Sequence, residues 1–179
     1  MHGAGAESRG GNWALCYDSS TDCTTCPSTT HDVVSAPTHC SCPSGSNTFH
    51  GGCNAHNETV VIGHNSLGFT FGGFAQATWA GNYDYATEAA GDFLFRLWPG
   101  EPVAYLPKGH NMDYQWRNPG AWPDMGGGNL GFGANGALGQ GQYAHCVQGF
   151  VYQGDNNDAC GGAGNWGATE MEVWYRVGS

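Results

Sequence analysis

Two glutamates near the end of the chain, Glu170 and Glu172, stand two residues apart in the run ATEMEVWYRV. On a strand that spacing puts both carboxylates on one face. A close carboxylate pair is the usual equipment of general acid–base chemistry, one member protonated and the other ionised. Hydrolysis also needs a nucleophile or an activated water, and the sequence identifies none. The plainer reading is a polar strand face with Arg176 and water as partners.

The cysteines carry a second kind of chemistry. Eight of them stand at positions 16, 23, 26, 40, 42, 53, 146 and 160. Cys23, Cys26, Cys40 and Cys42 form a C-x2-C and a C-x-C pair, which zinc can use with His31 or His39 beside them. The one-residue spacing of the second pair is poor for a zinc knuckle. Disulfides among these four suit the segment better, because a bridge closing about 15 residues contributes roughly 3 kcal/mol. Cys146 and Cys160 flank a strand and a turn, and they are expected to pair with each other. An even cysteine count in a loop-rich chain points to an oxidising compartment, secreted or luminal. Asn57, in the sequon Asn57-Glu58-Thr59, is a candidate glycosylation site in the same compartment.

Other groups suggest binding. Asp155, Asn157 and Asp158 crowd oxygen ligands into GDNND, which suits calcium, although a plain turn explains them too. Tyr114, Trp116, Trp122 and Trp166 stand among Asn, Gln and Asp, as aromatic platforms for a sugar ring do; the alternative is that they close the ends of a sandwich. The histidines at 50, 56 and 64 fit no ligand spacing. Residues 131–136 (GFGANG) match G-x-G-x-x-G, but no helix pattern follows to meet a phosphate. No cofactor is expected, and calcium is the ion that the Asp and Asn cluster admits.

What must position these groups is a β-rich body. The chain has 179 residues, enough for one domain with a real core. Gly is 31 of them, without period, and aromatics are interleaved, which excludes collagen and argues against disorder. Five Lys and Arg face fifteen Asp and Glu, a formal charge of −10 that offers no basic footprint for nucleic acid. No apolar run is long enough to span a membrane. The opening MHGAGAESRGG lacks the apolar core of a signal peptide, so a secreted protein is expected here in mature form.

Strands are expected at residues 12–17, 59–62, 69–79, 93–97, 143–152 and 170–177, with short partners at 103–106 and 113–116. In the last of the long strands Met171, Val173, Tyr175 and Val177 face inward, and Trp174 stands on the outward face with the glutamates. Residues 84–92 and 46–54 are each expected to hold a turn or two of helix. Residues 21–47 are Ser, Thr, Pro, Cys and His with little to bury, a cysteine-rich insertion within a single domain spanning 1–179. The fold class is mainly β (α+β), a two-sheet antiparallel β-sandwich with short helices.

Several of these pieces, in this order, resemble the TLDc domain family. They are NWALCYDSS; Thr48-Phe49-His50-Gly51-Gly52-Cys53; Glu58-Thr59-Val60-Val61-Ile62; Phe71-Gly72-Gly73-Phe74 with Trp79; Asp92-Phe93-Leu94-Phe95-Arg96-Leu97; Gly128-Asn129-Leu130; and Glu170-Met171-Glu172-Val173-Trp174. The resemblance runs from about Trp13 to Arg176. It implies the two-sheet sandwich, with the glycine pair bending its strand while Phe71 and Phe74 bury their rings. Family members are mostly intracellular, with roles in oxidative-stress protection and in binding the proton-pumping vacuolar ATPase. The insertion at 21–47 departs from their pattern. The expected function is a secreted, disulfide-stabilised TLDc-like module that binds a protein or extracellular-matrix partner. The alternatives are a lectin-like module, with or without calcium, and a hydrolase using Glu170 or Glu172. The sequence names neither the partner nor the oligomeric state.

Overall fold

Residues whose side chains alternate between apolar and polar must form strands with one buried face. The computed structural model describes residues 11–23, 40–42, 46–65, 67–82, 84–86, 91–107, 115–117, 121–125, 130–134, 137–138, 144–146, 158–161 and 168–178. In chain order the strands are β1 (Trp13–Asp18), β2 (Cys40–Ser41), β3 (Thr59–Asn65), β4 (Thr70–Ala75), β5 (Asp84–Ala86), β6 (Phe93–Trp98), β7 (Val103–Tyr105), β8 (Gln115–Arg117), β9 (Asp124–Met125), β10 (Leu130–Ala134), β11 (Ala137–Leu138), β12 (Ala144–Cys146) and β13 (Ala168–Arg176). Two short helices, α1 (Ser19–Asp22) and α2 (Asn47–Cys53), and a 3-10 turn at Asp158–Cys160 complete the described elements.

The strands form two antiparallel sheets. One runs β1-β13-β3-β4-β6-β7. The other runs β2-β11-β10-β9-β8-β5, with β12 also paired to β10. Between them lies the core. Val61, Phe71, Leu94, Met171 and Val173 enter it from the first sheet, and Trp122, Met125, Leu130 and Phe132 from the second. The rings of Phe71 and Phe132 stack across the layers at 5.9 Å. The mainly β sandwich with short helices is therefore the observed fold.

The glycine pair in β4 has a more exact role than a bend. Gly73 faces the core, where a methyl group would strike Met125 Sδ and crowd Leu94. Gly72 faces the other way, where a methyl would strike the Val61 carbonyl and crowd the Phe95 ring. Both glycines thus permit close approach. Phe71 is fully buried, but Phe74, three residues on, lies on the opposite face and stacks at 5.5 Å on Phe93. The expectation that both rings enter the core is corrected, because alternate residues of a strand point to opposite sides.

Two further expectations change. Asp84–Ala86 is strand β5, paired to β8, rather than the start of a helix. Val177 follows β13 and is 50% exposed, so the inward alternation stops before it.

Candidate functional site

One end of the sandwich gathers the features that distinguish this chain, and α2 is at its centre. The sequence NTFHGGC is a weak helix, with two glycines in seven residues. Tertiary bonds hold it. Cys53 is joined to Cys16 of β1 (S–S 2.07 Å), which ties α2 to the first sheet. His50 Nε2 donates to the Ala121 carbonyl at 2.9 Å, which ties it to the second. The other ring nitrogen meets Asn54 Oδ1 at 2.8 Å. Phe49 is wholly buried against Tyr17, Trp79 and Trp122. Gly52 lets the helix lie on the Cys16 carbonyl, where a methyl group would collide.

The cysteine-rich insertion begins beside this helix. Asp18 caps α1, its carboxylate accepting from Ser20 N at 2.7 Å. Cys23, which follows α1, is joined to Cys42 (S–S 2.06 Å), and the Tyr17 hydroxyl donates to Cys23 Sγ at 3.4 Å. The bond consumes two of the thiolates that zinc would need. Cys40 and Ser41 pair with Leu138 and Ala137, so the far end of the insertion joins the edge of the second sheet. Cys26 lies outside the described residues. A surface pocket of about 220 Å³ opens here, lined by Leu15, Cys16, Tyr17, Asp18, Thr21 and Thr48.

The proposed carboxylate pair sits elsewhere. Glu170 and Glu172 lie on the outer side of the first sheet, opposite His64 and Ile62 respectively. Glu172 Oε2 accepts from the indole of Trp174 at 2.8 Å, and His64 meets the Thr70 hydroxyl at 2.9 Å. Arg176 pairs with Glu58 at 3.2 Å rather than with either glutamate of its own strand. A hydroxyl near the pair is that of Thr70, bonded to the His64 that faces Glu170, and among the described residues no group of three His, Cys, Asp or Glu converges as a metal site.

The aromatic platform is corrected at one member. Trp122 is 1% exposed and packs at 5.3 Å on Tyr17, so it fills the core and presents no face to a sugar. Trp116 is placed by its backbone in β8, opposite Tyr85. Tyr114 and Trp166 lie outside the described residues, as do Asp155 and Asn157. Asp158 opens the 3-10 turn, and its side chain is not among those described. Cys160 closes that turn, buried and disulfide-bonded. Cys146 has a backbone place opposite Leu130, and its sulfur lies outside the description. Asn57 is exposed in the turn between α2 and β3.

Sequence reasoning missed the polar side chains that fasten these parts. Asn65, 3% exposed, accepts from Leu67 N and Phe69 N and donates to the Cys160 carbonyl at 3.2 Å, joining the β3–β4 hairpin to the 3-10 turn. Ser19, 1% exposed, accepts from Met171 N at 2.8 Å. Asp92 accepts from Gln76 N at 2.6 Å. Asn65 had a signal, since it follows an alternating strand and precedes a Gly-containing turn where Asx side chains bond local N–H groups. Ser19 had none, because its partner is 152 residues away.

The model of the TLDc domain matches residues 44–176, and the chain belongs to that family. The match covers α2 and every strand from β3 to β13. It starts later than the resemblance read from Trp13, since β1 lies before the cysteine-rich insertion. The structure nonetheless places β1 in the first sheet beside β13. Among curated proteins, none matches the chain.

Proposed function

We propose that this TLDc domain is an interaction module of an oxidising compartment, secreted or luminal, which holds a protein or extracellular-matrix partner on a rigid crosslinked body. The observation that carries this reading is the pair of disulfides at one end of the sandwich, Cys16–Cys53 and Cys23–Cys42, with no free cysteine among the described residues. Disulfides persist in secretory compartments and are rare where thiols are kept reduced. They stabilise the segment that most departs from the family's pattern, and they do so where α2 has little helix propensity of its own. Cys160 is disulfide-bonded as well, with Cys146 proposed as its partner, and the last bond is proposed to join the two cysteines of the insertion that remain. Asn57 carries an N-linked glycan when the chain passes through a eukaryotic secretory route, since its exposed turn leaves room for one.

The test is peptide mapping of the protein made by secretion, without reductant. Four linked peptide pairs and no alkylated thiol are expected, and the product is expected to be retained on decellularised matrix. Eight reactive thiols in the folded protein, or no retention by matrix or matrix proteins, would overturn the reading.

A further inference from the structure

One band across the outer face of the first sheet is apolar where an ordinary solvent face is polar, between Glu170 and His64 on one side and the Arg176–Glu58 pair on the other. Register partners line up across five strands as Leu15 on β1, Trp174 on β13, Val60 on β3, Phe74 on β4 and Phe93 on β6. None of the five is charged, and none points into the core. The row spans about 19 Å at about 4.8 Å per strand. Its neighbour row places Ile62, Gly72 and Phe95 in register, with Asp18 and Glu172 confined to the β1 end. Phe93 and Phe95 lie 6.2 Å apart, which makes the two rows one surface.

Phe95 is 9% exposed and Gly72 is buried, and the surface opens at its two margins. Trp13 and Leu15 are each 43% exposed at one margin, and Leu97 is 40% exposed at the other. With the half-buried members and Trp98, the open apolar area is on the order of 600 Å², taking about 150–250 Å² for each aromatic side chain. That reaches the top of the range for a monomer's largest patch, about 300–600 Å². It also approaches the roughly 800 Å² that each partner gives to an interface of standard size.

We infer that this face is covered by the same face of a second copy, forming a two-fold dimer. The area is the reason for choosing a second copy, because a single flat sheet face meets another flat sheet face over its whole extent. Self-association through one patch closes as a two-fold pair and leaves no patch over. Charge distribution agrees. The chain carries −10 overall, yet the central strands β3, β4 and β6 present no carboxylate on this side, so two copies meet here without like charges at the centre. The carboxylates of Asp18, Glu170 and Glu172 and the Glu58–Arg176 ion pair stay at the rim of the band. The inference names one surface of the interaction module proposed above, and it rests on that reading only in taking binding as what the module does.

Sedimentation velocity of the oxidised protein, from micromolar to submillimolar concentration, tests it. The mass is expected to rise from one chain to two. Leu15→Glu, at the exposed edge, and Phe74→Ser, at the centre of the row, are expected to weaken the dimer at least ten-fold while far-ultraviolet circular dichroism is unchanged. Leu15→Glu keeps the test sound if Phe74→Ser fails to fold. A chain that stays monomeric throughout overturns the inference, as does a dimer that both variants leave intact. So does a monomer whose row binds neutral lipid vesicles or a different protein. A monomeric result leaves the crosslinked-module reading standing, and free thiols sink that reading without touching the dimer.

Discussion

The two faces of the first sheet are built from the same kinds of residue and have opposite fates. Toward the second sheet, Val61, Phe71, Leu94, Met171 and Val173 exclude water completely. Away from it, Val60, Phe74, Phe93 and Trp174 are half-buried, with Leu15 more open still. Side-chain type does not separate the faces. What separates them is the opposing layer, since Gly63 and Gly73 on the inner face leave room for Phe132 and Met125 to press against the backbone. Burial is therefore a property of what a face meets.

The sharpest way to break this comparison is a matched pair on β4. Phe71→Ala is expected to cost about 3–5 kcal/mol, as for a ring removed from a close-packed core. Phe74→Ala, measured in dilute monomer by urea unfolding, is expected to cost about 1 kcal/mol, near the centre of the distribution for point substitutions. Equal costs would mean that the outer ring is covered within a single chain. At higher concentration the Phe74 variant is expected to lose more, because the dimer then contributes to apparent stability.

The next effect tests whether one end of the sandwich needs its crosslink while both faces do not. Replacing both Cys16 and Cys53 by serine is expected to lower stability by about 2–4 kcal/mol in chemical denaturation. Loss of protection in α2 by amide hydrogen exchange is expected to exceed that in β3 and β4. A variant with unchanged stability would show that His50 and Phe49 hold α2 unaided.

A smaller loss is expected at the β3–β4 hairpin, where Asn65 joins it to the 3-10 turn. Asn65→Ala leaves the Leu67 and Phe69 N–H groups and the Cys160 carbonyl short of a partner, at a cost of about 1–3 kcal/mol in thermal or denaturant unfolding. The smallest belongs to the outer polar margin. Glu172→Gln retains an acceptor for the Trp174 indole and is expected to change stability by no more than about 0.5 kcal/mol. A large shift, or the loss of any hydrolytic activity found in the parent chain, would restore the carboxylate pair as a functional site.

Much of this architecture is legible from local chemistry. The β-branched run at 59–62 and the alternation over 170–177 mark two strands, which the structure extends to Thr59–Asn65 and Ala168–Arg176 and pairs with each other. The Cys23–Cys42 bond falls within the four cysteines that the insertion brings together. Trp122 is the instructive failure. Its polar neighbours suggest a loop, while Tyr17 and Phe49, more than 70 residues earlier, draw it into the core. Neighbours in sequence report the local surroundings, and burial is set by neighbours in space.

The order of apolar and polar residues and the glycines were enough by themselves to determine a β-rich domain, because strand pattern and turn chemistry act over a few residues, and the TLDc family was legible only as a resemblance of motifs in order. Which apolar row became core and which stayed open was decided only when the second sheet covered one side. Likewise Cys16 had no evident partner until α2, with scant helical preference of its own, was brought against β1. Those outcomes depend on contacts between distant segments, and no short window of sequence encodes which of two equally apolar faces will meet the other layer.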